Sequence, residues 1–261
     1  MQSPTKRKQY IQKKLEEEQT VQVSKLAEEL SVSEMTIRRD LTDLEQLGVL
    51  KKTHGGALKA VSRSYEPPFS LRQHKALDEK RAIAKEALKF INEGDTIALD
   101  SGTTTVELAK ELVSYTNLTI ATTSIHIATI FLNHPTIVLL LSGGILRKHE
   151  GSLVGSFAQD NFSSFYFDAF FVSGGAISSE SGLTDYIIED AAIKRLIMSH
   201  SKKTVALMIG EKFDQSAFVQ FASLGEVDVL ISGKTPSLSL QQALQKEKVT
   251  TIIAQDKEKL R

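Results

Sequence analysis

The chain has 261 residues, 41% hydrophobic and 25% charged, which suits one large globular domain or two smaller ones and excludes a disordered or fibrous chain. Lys plus Arg and Asp plus Glu both number 32, so no global field draws the molecule to DNA or to an anionic membrane, and any basic patch is local. The absence of Cys excludes a disulfide framework, a thiolate nucleophile and a Cys-containing zinc site.

Tyr10, Ile11 and Leu15 fall at helical spacing and predict a first helix over about 5–18. Leu26, Ala27 and Leu30 mark a short second helix. After Ser31-Val32-Ser33 a third helix is expected from Glu34 to about Leu47, ended by Gly48; this is helix-turn-helix spacing. Ser33 is placed to cap it, and Val32 to staple onto Ile37. Ile37, Leu41 and Leu44 then line the buried face. Met35, Arg38, Arg39, Thr42 and Gln46 line the opposite one, where they could reach base edges or phosphates in a major groove. Ser33, Glu34 and Thr36 lie at its N-terminus, where backbone contacts occur. Asp40 falls beside the buried face and reads as a structural ion-pair partner. Residues 49–58 turn at Gly55-Gly56 and predict a β-hairpin wing carrying Lys51, Lys52 and His54.

Residues 1–61 hold eleven Lys/Arg against nine Asp/Glu, 11 − 9 = +2, so the patterning also fits a three-helix interaction domain with ordinary surface charges. Residues 33–41 (Ser-Glu-Met-Thr-Ile-Arg-Arg-Asp-Leu), with Leu44-Glu45, Gly48 and the Thr53-His-Gly-Gly56 wing, resemble the N-terminal DNA-binding domain of the DeoR family of bacterial transcription regulators. That resemblance implies a winged helix-turn-helix over 1–61 with double-stranded operator DNA as partner.

Residues 62–78 are polar, contain Pro67-Pro68 and show no clean period, so they read as a linker. From 79 to 261 strand-like and helix-like stretches alternate. Apolar strands are expected near 97–99, 118–122, 136–141, 167–173, 204–209, 227–231 and 249–254, which implies an α/β domain with a mostly parallel sheet. The longest apolar runs, such as Ile137 to Leu141, are far short of a membrane span, and the N-terminus is charged (Lys6, Arg7, Lys8). A cytoplasmic location with no membrane partner is expected.

The polar and glycine residues follow the C-terminal ends of those strands: Asp100, Ser101, Gly102, Thr103, Thr104 and Thr105; Thr123 and Ser124; Gly143, Gly144 and Arg147; Gly174 and Gly175; and Lys212. In an open parallel sheet such ends share one edge, so one crevice can gather them. Ser101 to Thr105, if a helix starts near Thr104, offer unpaired N–H groups and hydroxyls to a phosphate; they also suit an ordinary hydroxyl-capped βα loop.

Asp100-Ser-Gly-Thr-Thr-Thr105, Ser142-Gly-Gly144 with Arg147, Gly151 and Gly155, and Gly182-Leu-Thr184 are similar to the effector domain of the same family. The resemblance implies a fold like that of ribose-5-phosphate isomerase and a phosphorylated sugar as effector. Gly102 to Thr105 would hold the phosphate, and Asp100, Arg147 and Lys212 would reach phosphate or sugar hydroxyls. Two departures stand out. Relatives commonly carry Asp-x-Ser-Lys-Phe where this chain has Ile209-Gly-Glu-Lys-Phe213, so the Asp is lost. Asp190-Ala-Ala-Ile-Lys194 keeps an i,i+4 acid–base pair that reads as structural.

An isomerase with an accessory DNA-binding domain is the alternative, because the same fold supports sugar-phosphate isomerases and fold does not fix function. Asp100 is then the candidate base, but the tip of the 167–173 strand runs into Ser173-Gly-Gly-Ala176 with no carboxylate. The expected protein is a non-enzymatic regulator, homodimeric or homotetrameric, with no metal and no cofactor.

Overall fold

A computed structural model describes residues 3–46, 48–60 and 63–255. The chain divides into two compact units, Met1–Leu71 and Arg72–Arg261.

The first unit runs α1 (Pro4–Glu18), β1 (Thr20–Gln22), α2 (Val23–Glu29), α3 (Glu34–Gln46), β2 (Leu50–Lys52) and β3 (Gly56–Lys59). Ser33 Oγ accepts from the Thr36 N–H at 3.2 Å, which caps α3, and Val32 packs against the cluster that holds Ile37. The expected core forms: Ile11, Leu15, Leu26, Leu30, Ile37, Leu41 and Leu44 are buried together. Asp40 lies in that core, held by the Arg7 guanidinium at 2.8 Å.

The wing has a third strand that periodicity did not reveal, because β1 is only three residues long. The sheet order is β1-β3-β2, with Gln22 opposite Gly56. A Cβ at Gly56 would come within 1.9 Å of the Val21 carbonyl oxygen, so only glycine lets these strands close. Leu47, at the expected end of the third helix, and Val61 and Ser62, at the expected domain boundary, lie outside the described residues.

The segment expected to be a linker is partly folded. It contains α4 (Phe69–Arg72) and the start of α5 (Leu77–Ala87), and Arg72 forms an ion pair with Glu150. Long-range pairing of this kind leaves no local period to read.

The second unit continues with β4 (Thr96–Leu99), α6 (Thr103–Glu111), β5 (Thr119–Thr122), α7 (Ile125–Phe131), β6 (Val138–Leu141), β7 (Ile145–Arg147), β8 (Ser152–Val154) and α8 (Ser156–Phe162). Then follow β9 (Ala169–Val172), β10 (Ala176–Ser178), β11 (Gly182–Asp185), α9 (Ile188–Ser199), β12 (Thr204–Leu207), β13 (Val219–Ala222), β14 (Val229–Ser232), α10 (Leu238–Lys246) and β15 (Thr250–Ile253). Seven of these strands make one all-parallel sheet in the order β15-β14-β12-β9-β4-β5-β6. The central strands β9, β12 and β14 are buried at every position, as expected of strands covered on both faces.

From β4 the chain winds outward through β5 and β6, then returns to β9 on the other side of β4 and winds the opposite way. The order therefore reverses between β4 and β9. Beyond the C-terminal ends of these two strands the loops must part, and that is where an open α/β sheet offers a crevice. Two further elements escaped the sequence reading: the β7–β8 hairpin and a small antiparallel sheet, β10-β11-β13.

Candidate functional site

On the first unit, α3 presents Met35, Arg38 and Arg39 to solvent, and the wing presents Lys51, Lys52 and His54. Thr36 and Thr42 are half-buried. Several of these groups are already engaged. Arg38 lies 3.3 Å from Glu34, the Thr42 hydroxyl donates to the Arg38 carbonyl at 2.8 Å, and Lys52 donates to the Thr42 hydroxyl at 3.0 Å. The Ser33 hydroxyl is occupied as the helix cap. The Arg39 side chain has no hydrogen bond or ion pair among the described residues.

On the second unit, the switch point between β4 and β9 is built from two strand ends laced together. The Asp100 N–H donates to the Phe171 carbonyl, and Asp100 Oδ2 accepts from the Ser173 N–H at 3.0 Å. α6 starts immediately after Asp100-Ser101-Gly102, and no side chain caps it, so the N–H groups of its first turn point out of the helix without an intrahelical acceptor. Gly102 has an ordinary φ of −70°. Its role is close approach, because a Cβ there would lie 3.0 Å from the Ser173 Cβ. Thr105 is fully buried and turns its hydroxyl back onto the Asp100 and Gly102 carbonyls, leaving Ser101, Thr103 and Thr104 to offer hydroxyls.

Lys212 reaches the same place from the loop after β12, donating to the Gly174 carbonyl at 2.5 Å and to Ser173 Oγ at 3.3 Å. Asp100, Ser101, Gly102, Thr103, Thr104, Gly174 and Lys212 thus follow the C-terminal ends of the neighbouring strands β4, β9 and β12. The other expected residues are placed differently. Ser124 Oγ caps α7, accepting from the Ile127 N–H at 3.3 Å, and the Thr123 carbonyl accepts from the Leu153 N–H as the β7–β8 hairpin folds over the end of β5. Both are buried. Gly143 and Gly144 follow the edge strand β6, two strands away from β4, and both take left-handed φ angles that suit a turn. Gly175 packs under Tyr186 and Ala217. Arg147 is paired with Asp190 on α9.

That last pairing corrects the expectation of an Asp190–Lys194 bridge. Lys194 instead donates to the Ser173 carbonyl at 2.8 Å and to Asp185 at 2.5 Å, and stands 3.1 Å from Asp100 Oδ2. Burial alone would push the Lys194 ammonium down, but Asp100 and Asp185 more than offset it and hold it well above the usual lysine range. Asp100 is therefore pinned from two sides, by Ser173 and by Lys194.

The first unit matches the family described as DeoR-like helix-turn-helix domain over residues 7–63, and the second matches DeoR C terminal sensor domain over residues 75–234. The chain belongs to the DeoR family.

Among its relatives is the HTH-type transcriptional regulator GlpR of Haloferax volcanii, 33% identical, with 95% of this chain and 97% of that protein covered. Another is the lactose phosphotransferase system repressor of Staphylococcus epidermidis, 33% identical over 82% of this chain and 85% of the relative. A solved D-ribose-5-phosphate isomerase in complex with phospho-erythronic acid is also similar, 18% identical with a TM-score of 0.38 over 51% of this chain and 52% of that one. This DeoR-family chain is thus a transcription regulator with a helix-turn-helix and a sensor domain. Among its described residues, no helix is long and apolar enough to cross a membrane.

Ser173, Lys194 and Lys80 were not among the expected site residues. Lys80 had a readable signal: it precedes Ile83 and Ala84 by three and four positions, on the apolar face of α5, where an unpaired lysine is out of place. Ser173 and Lys194 had none, since the sheet order brings Ser173 beside Asp100 and the packing of α9 brings Lys194 there.

Proposed function

We propose that α3 and the wing bind operator DNA and that the sensor unit binds a phosphorylated sugar, whose arrival releases the operator and relieves repression of a sugar-metabolism operon. The observation that carries this reading is the uncapped N-terminus of α6 at the β4/β9 switch point, with Gly102 in close approach and Lys212 beside it. A helix N-terminus presenting several N–H groups next to an ammonium is a natural seat for a phosphate dianion. The relative named as a lactose phosphotransferase system repressor supports a sugar-linked signal. Ser33, Met35, Thr36, Arg38, Arg39, Thr42, Lys51, Lys52 and His54 form the DNA face in this reading. Asp100 and Lys212 orient the sugar and phosphate, with Arg147 available to the ligand only by parting from Asp190. A homodimer or homotetramer would match a two-fold operator.

The role is regulatory rather than catalytic. The tip of β9 brings Ser173-Gly174-Gly175 and no carboxylate to the crevice, and Asp100 is anchored by Ser173 and Lys194. Incubation with pentose and hexose phosphates is expected to give no aldose–ketose interconversion.

The test of ligand class is a thermal-shift panel on the full chain, pairing each sugar phosphate with its free sugar. A phosphorylated sugar at about 100 times its dissociation constant should stabilise the sensor unit by about 2.7 kcal/mol. Its parent sugar should do far less, because a neutral hydroxyl leaves the helix N–H groups unpaired. Gly102→Val should remove the shift by displacing Ser173. Equal stabilisation by free sugars refutes the reading.

A further inference from the structure

Met35 is 75% exposed, more than any other large apolar side chain described in the first unit; Leu58 and Tyr10 follow at 44 and 37%. It is the second residue of α3, just after the Ser33 cap and Glu34, and it lies outside the buried cluster of that unit. At 100° per residue it shares its face with Arg38, Arg39 and Thr42, opposite the buried Ile37, Leu41 and Leu44. A lone exposed apolar residue needs no explanation on an ordinary surface. This one stands in the N-terminal turn of the second helix of a helix-turn-helix, the part that meets base edges when such a helix lies in a major groove.

The polar side chains around it have partners within the unit. Arg38 pairs with Glu34 at 3.3 Å, the Thr36 hydroxyl lies 2.9 Å from that of Ser33, and the Thr42 hydroxyl donates to the Arg38 carbonyl while accepting from Lys52. The Met35 thioether differs from all of them in kind. It has no donor and only a weak acceptor, so it cannot read a base by hydrogen bonding. In the major groove one base alone presents an apolar group, thymine with its C5 methyl. An unbranched, polarisable side chain with three rotatable bonds can lay itself against such a methyl.

We propose that Met35 is a specificity-determining residue that reads the C5 methyl of a thymine in each operator half-site. The inference rests on the placement of α3 in the groove given above and adds to it the identity of one base. Contact between thioether and methyl removes apolar surface from water on both partners. Cytosine and adenine would instead turn an amino group to Met35, which loses water and gains no acceptor worth the exchange. The helix also sets where this thymine lies. Residues four apart, such as Met35 and Arg39, are separated by about 6 Å along the axis, somewhat under two base steps of about 3.4 Å. A guanine read by Arg39 therefore falls within about two base pairs of the thymine.

The probe is a synthetic duplex selected from random-sequence DNA by the full chain at a fixed salt concentration. Each thymine is replaced singly by deoxyuridine, which removes the C5 methyl and keeps the base pair, and affinity is read by fluorescence anisotropy. One thymine in each half-site is expected to lose about fourfold on replacement, the effect of burying one methyl-sized group. Met35→Ala should bind the thymine and deoxyuridine duplexes alike, so that the two changes together cost no more than Met35→Ala alone. Met35→Leu, still apolar, should keep a preference for thymine. Because the side chain is exposed, both variants should melt like the wild type, and the wild-type scan decides even where a variant fails to fold. A scan in which no thymine is sensitive overturns the proposal, as does a sensitivity that survives Met35→Ala. If the selected duplex still loses affinity in Arg38/Arg39 double Ala variants, the groove placement stands without the thymine contact. Failure to select any sequence over random DNA overturns both.

Discussion

The Lys194 site is where a single substitution should most damage the sensor unit. Lys194, Asp100 and Asp185 have side chains only 7, 4 and 6% exposed, so water screens none of them. The ammonium donates to the Ser173 carbonyl and to Asp185, stands 3.1 Å from Asp100 Oδ2, and lies 5.2 Å from the Phe221 ring centroid. Lys194→Met keeps the apolar stem and deletes the charge. Two buried carboxylates are then left facing each other with no cation between them. Removing one member of a buried ion pair costs about 3–5 kcal/mol, and this deletion orphans two acids, so the upper end of that range is expected. Set against a stability of roughly 5–15 kcal/mol for a typical domain, the unit should be close to unfolding. Asp185→Asn is the milder counterpart, since it leaves Asp100 and Lys194 paired one to one, and should cost about 1–3 kcal/mol.

The assay is urea denaturation of the full chain followed by circular dichroism, with the two units fitted as separate transitions. The helix-turn-helix transition serves as an internal control and should not move. The pH dependence has a definite sign. The ammonium is held above its ordinary range, so its stabilisation is complete below the unfolded lysine value of about 10.4 and is lost only as pH rises through the higher folded value. At neutral pH the full penalty of Lys194→Met should therefore be visible. A loss below about 1 kcal/mol would mean that the triad is not the electrostatic unit described here.

Two other substitutions probe the first unit. Arg39→Ala should cost about 1–3 kcal/mol on the preferred operator if the guanidinium reads guanine, and less on random DNA, whereas Lys51→Ala should weaken all sequences alike and flatten the salt dependence; gel shifts at two salt concentrations separate them, and normal operator affinity of Arg38/Arg39 double Ala variants would remove α3 from the groove. Gly56→Ala should loosen the wing and lower the melting temperature of the helix-turn-helix unit, because its Cβ collides with the Val21 carbonyl at 1.9 Å; a variant that melts like the wild type would show that β1 does not close the sheet.

The sequence by itself determined whatever depends on spacing along the chain. The Ser33 cap, the Ile37, Leu41 and Leu44 stripe and the placement of Asp40 beside it follow from 100° per residue, and the structure carries them as read. Seven apolar stretches separated by helices likewise implied the parallel sheet, and the polar turn after Leu99 stood out against its strand. Tertiary structure decided everything that joins residues far apart in sequence. The reversal of strand order between β4 and β9 sets Ser173 on Asp100, 73 positions away, and the packing of α9 carries Lys194 to both. Asp190 and Lys194 look like partners on a helix, yet each finds a better-placed opposite charge on another element, Arg147 after β6 and Asp185 on β11. A buried charge must be neutralised by whichever group the fold delivers, and spacing along one helix cannot reveal which group that is. Lys80 falls between the two cases: its place on an apolar face was legible, and the cations and missing carboxylate around it became so only when α5 was laid against the loop after β12.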